Sequence, residues 1–360
     1  MKILYLFNNT RAGHLEKIAA GFPDNSFHGL FRLRKYGIET GYAEIEQYLS
    51  AGICRFLRAK VLNVYFVHLP ILWRLFHYDI VFHISSFPLQ FLWAVLGLKK
   101  PKWVMYDYSL IGLLGSGKTF KQRILRYIAG RSAGIITISE KEAEMLKSRF
   151  PHLKDRIRFV RYGTDLEYFK PRNVPEAEEI FAAGFDRGRD AKTVLEAADG
   201  LGIKVVFSNS RHLRKIGPLP SYAEARPLSD SGLLEQYARS KIIIISLDTS
   251  GGINDAMGCS TLVEALAMGK AIIATRTPTM ESYITDGQNG FLVEEKSAEK
   301  MREAIKHLLV DQQLRAEMGA KARISAVKDC DADKIAAQMA DFFRSLERSF
   351  RRQSAFPKDS

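Results

Sequence analysis

Three stretches of this 360-residue chain space their residues in ways that suit phosphate chemistry. GLLGSGKT, residues 112–119, satisfies G-x-x-x-x-G-K-[ST] letter for letter, the pattern of a loop that cradles ATP or GTP phosphates with its lysine, here Lys118. GFDRGRDAKT, residues 184–193, gathers Arg187, Arg189 and Lys192 behind an apolar run, and an arginine there can clamp phosphate oxygens through two parallel hydrogen bonds. GCSTLVEALAMG, residues 258–269, reads as a loop entering a helix at Ser260 and Thr261, whose unpaired amides form an anion site. Glu264 lies about a turn further on, placed to accept hydrogen bonds from ribose hydroxyls. A nucleoside diphosphate at such a helix start has its leaving-group charge stabilised, which cleavage of a sugar–phosphate bond requires.

These stretches need a scaffold, and the pattern supplies one. Apolar strand-like runs (KILYLFN, IETGYAEI, DIVFHIS, KWVMYDY, AGIITIS, IRFVRYG) alternate with helical segments through the first 165 residues. A helix is expected near residues 28–35, and a loop carrying His14 after the first strand. The alternation restarts with EIFAAGF and continues through KVVFSN, KIIIISLD, AIIAT and FLVEE. Such alternation means mostly parallel sheets covered on both faces. The expected architecture is α/β: two tandem doubly wound Rossmann-like domains, residues 1–165 and 179–330, with a cleft between them. A polar linker (166–178) joins them, and C-terminal helices and a tail (331–360) follow. Ligands of such domains sit at the carboxyl ends of the strands.

Charge divides along the same line. Residues 1–165 hold 25 of the 53 Lys and Arg but 12 of the 40 Asp and Glu, so the whole net charge of +13 lies there. That half should meet something anionic, and without a recognisable nucleic-acid module an anionic membrane face or acidic acceptor fits better. Residues 61–76 and 87–103, apolar, aromatic and flanked by Lys and Arg, suit either a membrane interface or core helices. Neither is long enough to span, and MKILYLFNNTRAG lacks the features of a signal peptide. Three distant cysteines argue for a reducing, cytoplasmic setting and against a zinc site. DCDAD, residues 329–333, begins like a calcium loop but has Lys334 where the turn glycine belongs.

Two blocks carry a resemblance. RYGTDLEYFKP, residues 161–171, resembles the N-G-V-D-x-x-x-F-x-P segment of retaining GT-B glycosyltransferases of family 4. GCSTLVEALAMGKAIIATRTPTMESYITDGQNGFLV, residues 258–293, resembles that family's donor-site signature. The resemblance implies transfer of a sugar from a UDP- or GDP-linked donor to the hydroxyl of a glycan or lipid-linked acceptor. It implies no cofactor beyond this co-substrate and no required metal. It assigns the ribose to Glu264 and the diphosphate to a basic group for which Arg189 is the first choice, with Arg187 and Lys192 behind it. The acceptor falls to the first domain, in glycan, lipopolysaccharide or polysaccharide assembly.

Two departures stand out. The family's first Glu falls at Ala256, which cannot bind a hydroxyl, so Asp255 or Asn254 is the substitute to consider. The first-domain catalytic histidine has no clear counterpart: His83 and Asp107 are the candidates, with His14 behind them. The rival readings are an inactive nucleotide-sugar-binding protein and a P-loop NTPase, for which Asp248 is the only Mg²⁺ partner in view. The plain structural alternatives are a solvated basic loop, a solvated helix carboxylate and packed histidines.

Overall fold

The computed structural model describes residues 1–7, 10–56, 71–84, 86–184, 188–209, 213, 216–250 and 256–355. The chain divides into two units, Met1–Arg161 with Asp333–Ser360, and Tyr162–Ala332. Residues 166–178 lie within the second unit.

The first unit has six strands, β1 (Lys2–Leu6), β2 (Glu39–Ala43), β3 (Ile80–His83), β4 (Lys102–Asp107), β5 (Gly134–Thr137) and β6 (Ile157–Phe159). They pair in the order β2-β1-β3-β4-β5-β6, every neighbour parallel. Between them run helices α1 (Ala12–Ala19), α2 (Ala51–Phe56), α3 (Leu72–Leu75), α4 (Phe87–Val95), α5 (Leu110–Leu114), α6 (Phe120–Gly130) and α7 (Glu140–Arg149). A parallel sheet covered on both faces must be apolar on both. Accordingly Leu4, Leu6, Val81, Trp93 and Trp103 form one core and Met105, Leu125, Ile128, Ile135 and Leu146 another.

Two local expectations fail. The loop expected to carry His14 is helix α1, and residues 28–35 form not an α-helix but a turn, which follows a 3₁₀ turn at Asn25–Phe27, and most of a 3₁₀ helix at Arg32–Tyr36. His28 ends the first turn with φ at 49°, a left-handed conformation that an α-helix does not admit.

The second unit has strands β7 (Glu179–Ala182), β8 (Lys204–Phe207), β9 (Ala223–Ala225), β10 (Ile242–Ile245), β11 (Ala271–Thr275) and β12 (Phe291–Val293). Its helices are α8 (Ala191–Ala198), α9 (Asp230–Arg239), α10 (Cys259–Ala267), α11 (Pro278–Glu281), α12 (Ala298–Val310) and α13 (Gln312–Asp329). The strand order β12-β11-β10-β7-β8-β9 is again all parallel. It is the doubly wound order whose direction of winding reverses between β7 and β10, where ligands of this architecture bind.

Helix α14 (Ala332–Ala355) runs from the end of the second unit into the first. Its moment is strongly amphipathic in sequence, and the apolar side returns to the first sheet. Phe342, Phe343 and Leu346 are fully buried, and the Phe343 ring meets Phe82 at 5.6 Å between centroids. Arg158 of β6 pairs with Asp341 at 2.9 Å. The segment expected as separate C-terminal helices thus completes the first unit's core. Among the described residues, no helix is long and apolar enough to cross a membrane.

Candidate functional site

In the second unit, the residues singled out from the sequence converge at the β7/β10 reversal. β7 ends at Ala182 and the chain turns through Gly184, whose φ is +120°. Its N–H donates to Ser208 Oγ (3.1 Å), and its carbonyl accepts from Ser208 Oγ and Asn209 Nδ2, both at 2.9 Å. Both backbone groups are therefore held. The side of the Cα where a Cβ would stand is filled by the Arg189 guanidinium, so glycine suits the φ and any side chain here would displace Arg189.

Arg189 is itself fixed from behind. Its backbone bridges Leu247 in antiparallel fashion, Asp248 N–H donates to the Gly188 carbonyl (2.7 Å), and Asp190 N–H donates to the Ser246 carbonyl (3.1 Å). Asp190 then caps α8 by accepting from Thr193 N–H (3.1 Å). With its backbone pinned at the end of β10, the Arg189 side chain reaches α10 and donates from Nη2 to Thr261 Oγ1 at 3.1 Å.

Helix α10 begins at Gly258, which adopts φ +80°. A Cβ there would stand 2.8 Å from Ile245 Cγ2 and 3.4 Å from Arg189 Nη1. The helix start can therefore lie against the sheet end only without a side chain at this position. Ser260 is exposed in the first turn and Thr261 is buried; Cys259 N–H turns back to the Ala256 carbonyl (3.2 Å), and the amides of Ser260 and Thr261 follow it at the helix start. One turn on, Glu264 Oε2 accepts from the Tyr237 hydroxyl of α9 at 3.0 Å. Burial pushes the Glu264 carboxyl up to about 7, against the opposing pull of the Tyr237 hydrogen bond and the Arg189 charge. Tyr237, buried and facing Glu264, is held well above the usual phenol range and keeps its proton for that bond. A concavity lined by Ala183, Gly184, Arg189, Ser208, Asn209 and Ser246 opens at the ends of β7, β8 and β10. Chemically the arrangement offers one guanidinium, a helix start and a carboxyl tuned near neutrality, a combination suited to a nucleotide's phosphates and ribose.

Arg189, Thr261 and Glu264 are thus brought together, with Ser260 at the same helix start. Lys192 is not: it points to solvent from α8 and lies 3.7 Å from Glu196. Arg187 and Asp255, like Asn254, fall outside the described residues. Ala256 is buried just before α10 and its side chain offers no oxygen, while its carbonyl accepts from Cys259 N–H at 3.2 Å. Local sequence does not reveal Tyr237, whose partner Glu264 lies 27 residues away, or Gly184, which acts by lacking a side chain where Arg189 stands.

The first-unit candidates are differently placed. His83 closes β3 at 1% exposure. Its Nδ1 accepts from Ser86 N–H (3.0 Å), which leaves Nε2 to donate to Gln90 Oε1 (2.9 Å), and Gln90 donates in turn to Ser132. Both ring nitrogens are committed, the arrangement of a packed histidine. Asp107, 5% exposed at the end of β4, accepts from the amides of Ser109 (2.8 Å) and Leu110 (2.6 Å) and so starts α5. Burial first, and the neighbouring Glu142 carboxyl second, push it well above the usual carboxylate range. Glu142, on α7, accepts from Ile111 N–H at 3.1 Å. Two buried carboxyls side by side must share a proton, and this pair secures α5 at its base. His14 lies on α1.

GLLGSGKT does not form a phosphate-cradling loop. Residues 110–114 are helical, and the Gly115 carbonyl accepts from Arg149 (2.6 Å). The Thr119 hydroxyl is taken by a capping box with Gln122 that starts α6. Asp248, the Mg²⁺ partner such a site needs, lies in the other unit. There Ser250 and then Lys296 hold its carboxyl down to about 2.

Comparison with known proteins bears on the family and the fold. The family described as Glycosyltransferase Family 4 matches residues 30–168, and Glycosyl transferases group 1 matches residues 227–325. A D-inositol 3-phosphate glycosyltransferase of Corynebacterium urealyticum is 23% identical over 295 residues, 71% of this chain and 69% of its own. Sucrose-phosphate synthase from Thermosynechococcus elongatus superposes with a TM-score of 0.75 at 16% identity, over 97% of this chain and all of its own. Anabaena HepE in complex with UDP-glucose gives 0.68 at 13% identity, over 96% and 100%. One family match falls almost wholly in each unit, and the sheet orders, the helical C-terminus and the structural neighbours agree on the fold. The chain therefore belongs to the family 4, or group 1, glycosyltransferases and has the GT-B fold.

Proposed function

We propose that this glycosyltransferase takes a sugar from a UDP- or GDP-linked donor and passes it to an acceptor hydroxyl with retention of configuration. The observation that carries the reading is the convergence of Arg189, Thr261 and Glu264 at the start of α10. The solved relative HepE, with UDP-glucose in its crystal, supports a nucleotide-sugar donor. In the proposed reaction the bond from the anomeric carbon to the diphosphate breaks through an oxocarbenium-like transition state, with the electron pair leaving on the diphosphate. A bond to the acceptor oxygen forms, and the acceptor proton departs to the leaving phosphate or to water. Arg189 and the α10 amides stabilise the departing charge, so no metal ion is required for it. Glu264 accepts from the ribose hydroxyls, and Ser260 reaches the phosphates from the same turn. Arg187 as a further phosphate contact, and Asp255 in place of the acid missing at Ala256, belong to the same proposal on their sequence positions alone. The first unit holds a glycan or lipid-linked acceptor at the cytoplasmic face of a membrane, in polysaccharide or lipopolysaccharide assembly. His83 and Asp107 serve it by fixing the ends of β3 and β4.

Ala256 favours a second reading, a protein that binds nucleotide sugars without turnover. Incubation with UDP- and GDP-sugars and a panel of glycan and lipid-linked acceptors, in EDTA, separates the two. Release of nucleoside diphosphate with an anomeric proton signal of retained configuration is the expected result. Tight donor binding without release, across the panel and with metal restored, would favour the second reading.

A further inference from the structure

The donor site accounts for none of the first unit's charge. From residue 80 to residue 139 the chain carries eight basic residues, Lys99, Lys100, Lys102, Lys118, Lys121, Arg123, Arg126 and Arg131. The acid in that span is Asp107, and it is buried. The same span exposes apolar surface. Phe120, the first residue of α6, is 79% exposed and Leu113 of α5 is 41% exposed. The two rim an apolar groove floored by Phe87, Pro88, Ile124 and Ile128. Along α4 the spacing Pro88, Leu92, Val95 continues one helical side, and Val95, Leu96 and Leu98 stand exposed just before Lys99 and Lys100. Most of the Phe120 ring faces solvent, and the backbone at that helix start is secured by the capping box of Thr119 and Gln122 rather than by the ring.

We infer that this α4–α6 face is a docking surface for an anionic lipid bilayer. Phe120 and Leu113 enter the acyl boundary, and Lys118 and Lys121 beside them meet the headgroups. Charge decides between occupants: a second copy of the chain would bring the same positive face against itself, whereas anionic lipid complements it. The inference deepens the membrane setting proposed above and rests on it for its biological sense, although its chemistry stands on this surface alone.

The test is co-sedimentation of the full chain with phosphatidylcholine vesicles containing one quarter phosphatidylglycerol, and with pure phosphatidylcholine. Donor binding is measured on the same samples by UDP and GDP titration, so failure of one claim does not register as failure of the other. Partition to the anionic vesicles alone is expected. It should weaken about fivefold for each of Lys118→Gln and Lys121→Gln, and further in Phe120→Ser. Folding is not at risk, because all three side chains are exposed, and unchanged thermal melting verifies it. Absence of partition to anionic vesicles overturns the inference. So does partition indifferent to both lysines, or a dimer in light scattering that Phe120→Ser dissociates.

Discussion

Gly184→Ala tests how the donor site is built, because the substituted residue need not touch the ligand. The Gly184 backbone cannot retreat, since Ser208 and Asn209 hold its N–H and carbonyl. The new methyl group therefore evicts the Arg189 guanidinium from the space it occupies. An evicted Arg189 loses the charge-assisted bond to the diphosphate proposed above, worth about 1.5–3 kcal/mol. UDP or GDP should then bind roughly 10- to 150-fold more weakly. Alanine at φ +120° also costs about 1–3 kcal/mol of stability, a few degrees of melting temperature. Calorimetric titration of Gly184→Ala, Arg189→Ala and the double variant separates the effects. If alanine acts through Arg189, the double variant binds no worse than Arg189→Ala alone. Additive losses, or wild-type affinity in Gly184→Ala, would refute the reasoning.

Three further outcomes follow from the same geometry. Glu264 has its folded-state pKa raised from the ordinary carboxylate value to about 7, so unliganded wild type should lose stability as pH rises from about 4.5 to about 7. Thermal melting across that range should show a slope that Glu264→Gln lacks, whereas UDP affinity should rise through the upper end more steeply in wild type than in the variant. Asp107, also raised, contributes stability that is lost as pH climbs above the ordinary carboxylate range. Asp107→Asn, which still accepts the two amides and can donate to Glu142, should make the melting temperature less dependent on pH there. Finally, Lys118→Ala should leave nucleotide affinity within twofold of wild type, since its loop is occupied by helix capping. A loss above tenfold would restore the phosphate-loop reading.

Much of the fold is legible in the sequence for one reason: parallel strands buried on both faces are written as unbroken apolar runs, as in Ile242–Ile245. β9 (Ala223–Ala225) escaped because an Ala-Glu-Ala edge strand carries neither the length nor the β-branched residues of such a run. The return of α14 to the first sheet is a tertiary fact that its helical periodicity cannot express. At the site, Arg189, Thr261 and Glu264 were readable because helix starts and arginine clusters have local signatures. Their supports were not. Tyr237 and Glu142 act across 27 and 35 residues, and Gly184 acts by lacking a side chain. His83 illustrates the opposite error: its chemistry suggested a cleft, and burial made it a bracket between Ser86 and Gln90.

Thermal stabilisation of the purified chain by UDP, GDP, ADP and ATP, with and without Mg²⁺, decides whether Arg189 and Glu264 hold the nucleotide. If they do, UDP or GDP raises the melting temperature, and the rise persists in EDTA and is lost in both Arg189→Ala and Glu264→Ala. A Mg²⁺-dependent rise with ATP, lost in Lys118→Ala and untouched by those two substitutions, would move the nucleotide to residues 112–119 and overturn the donor site.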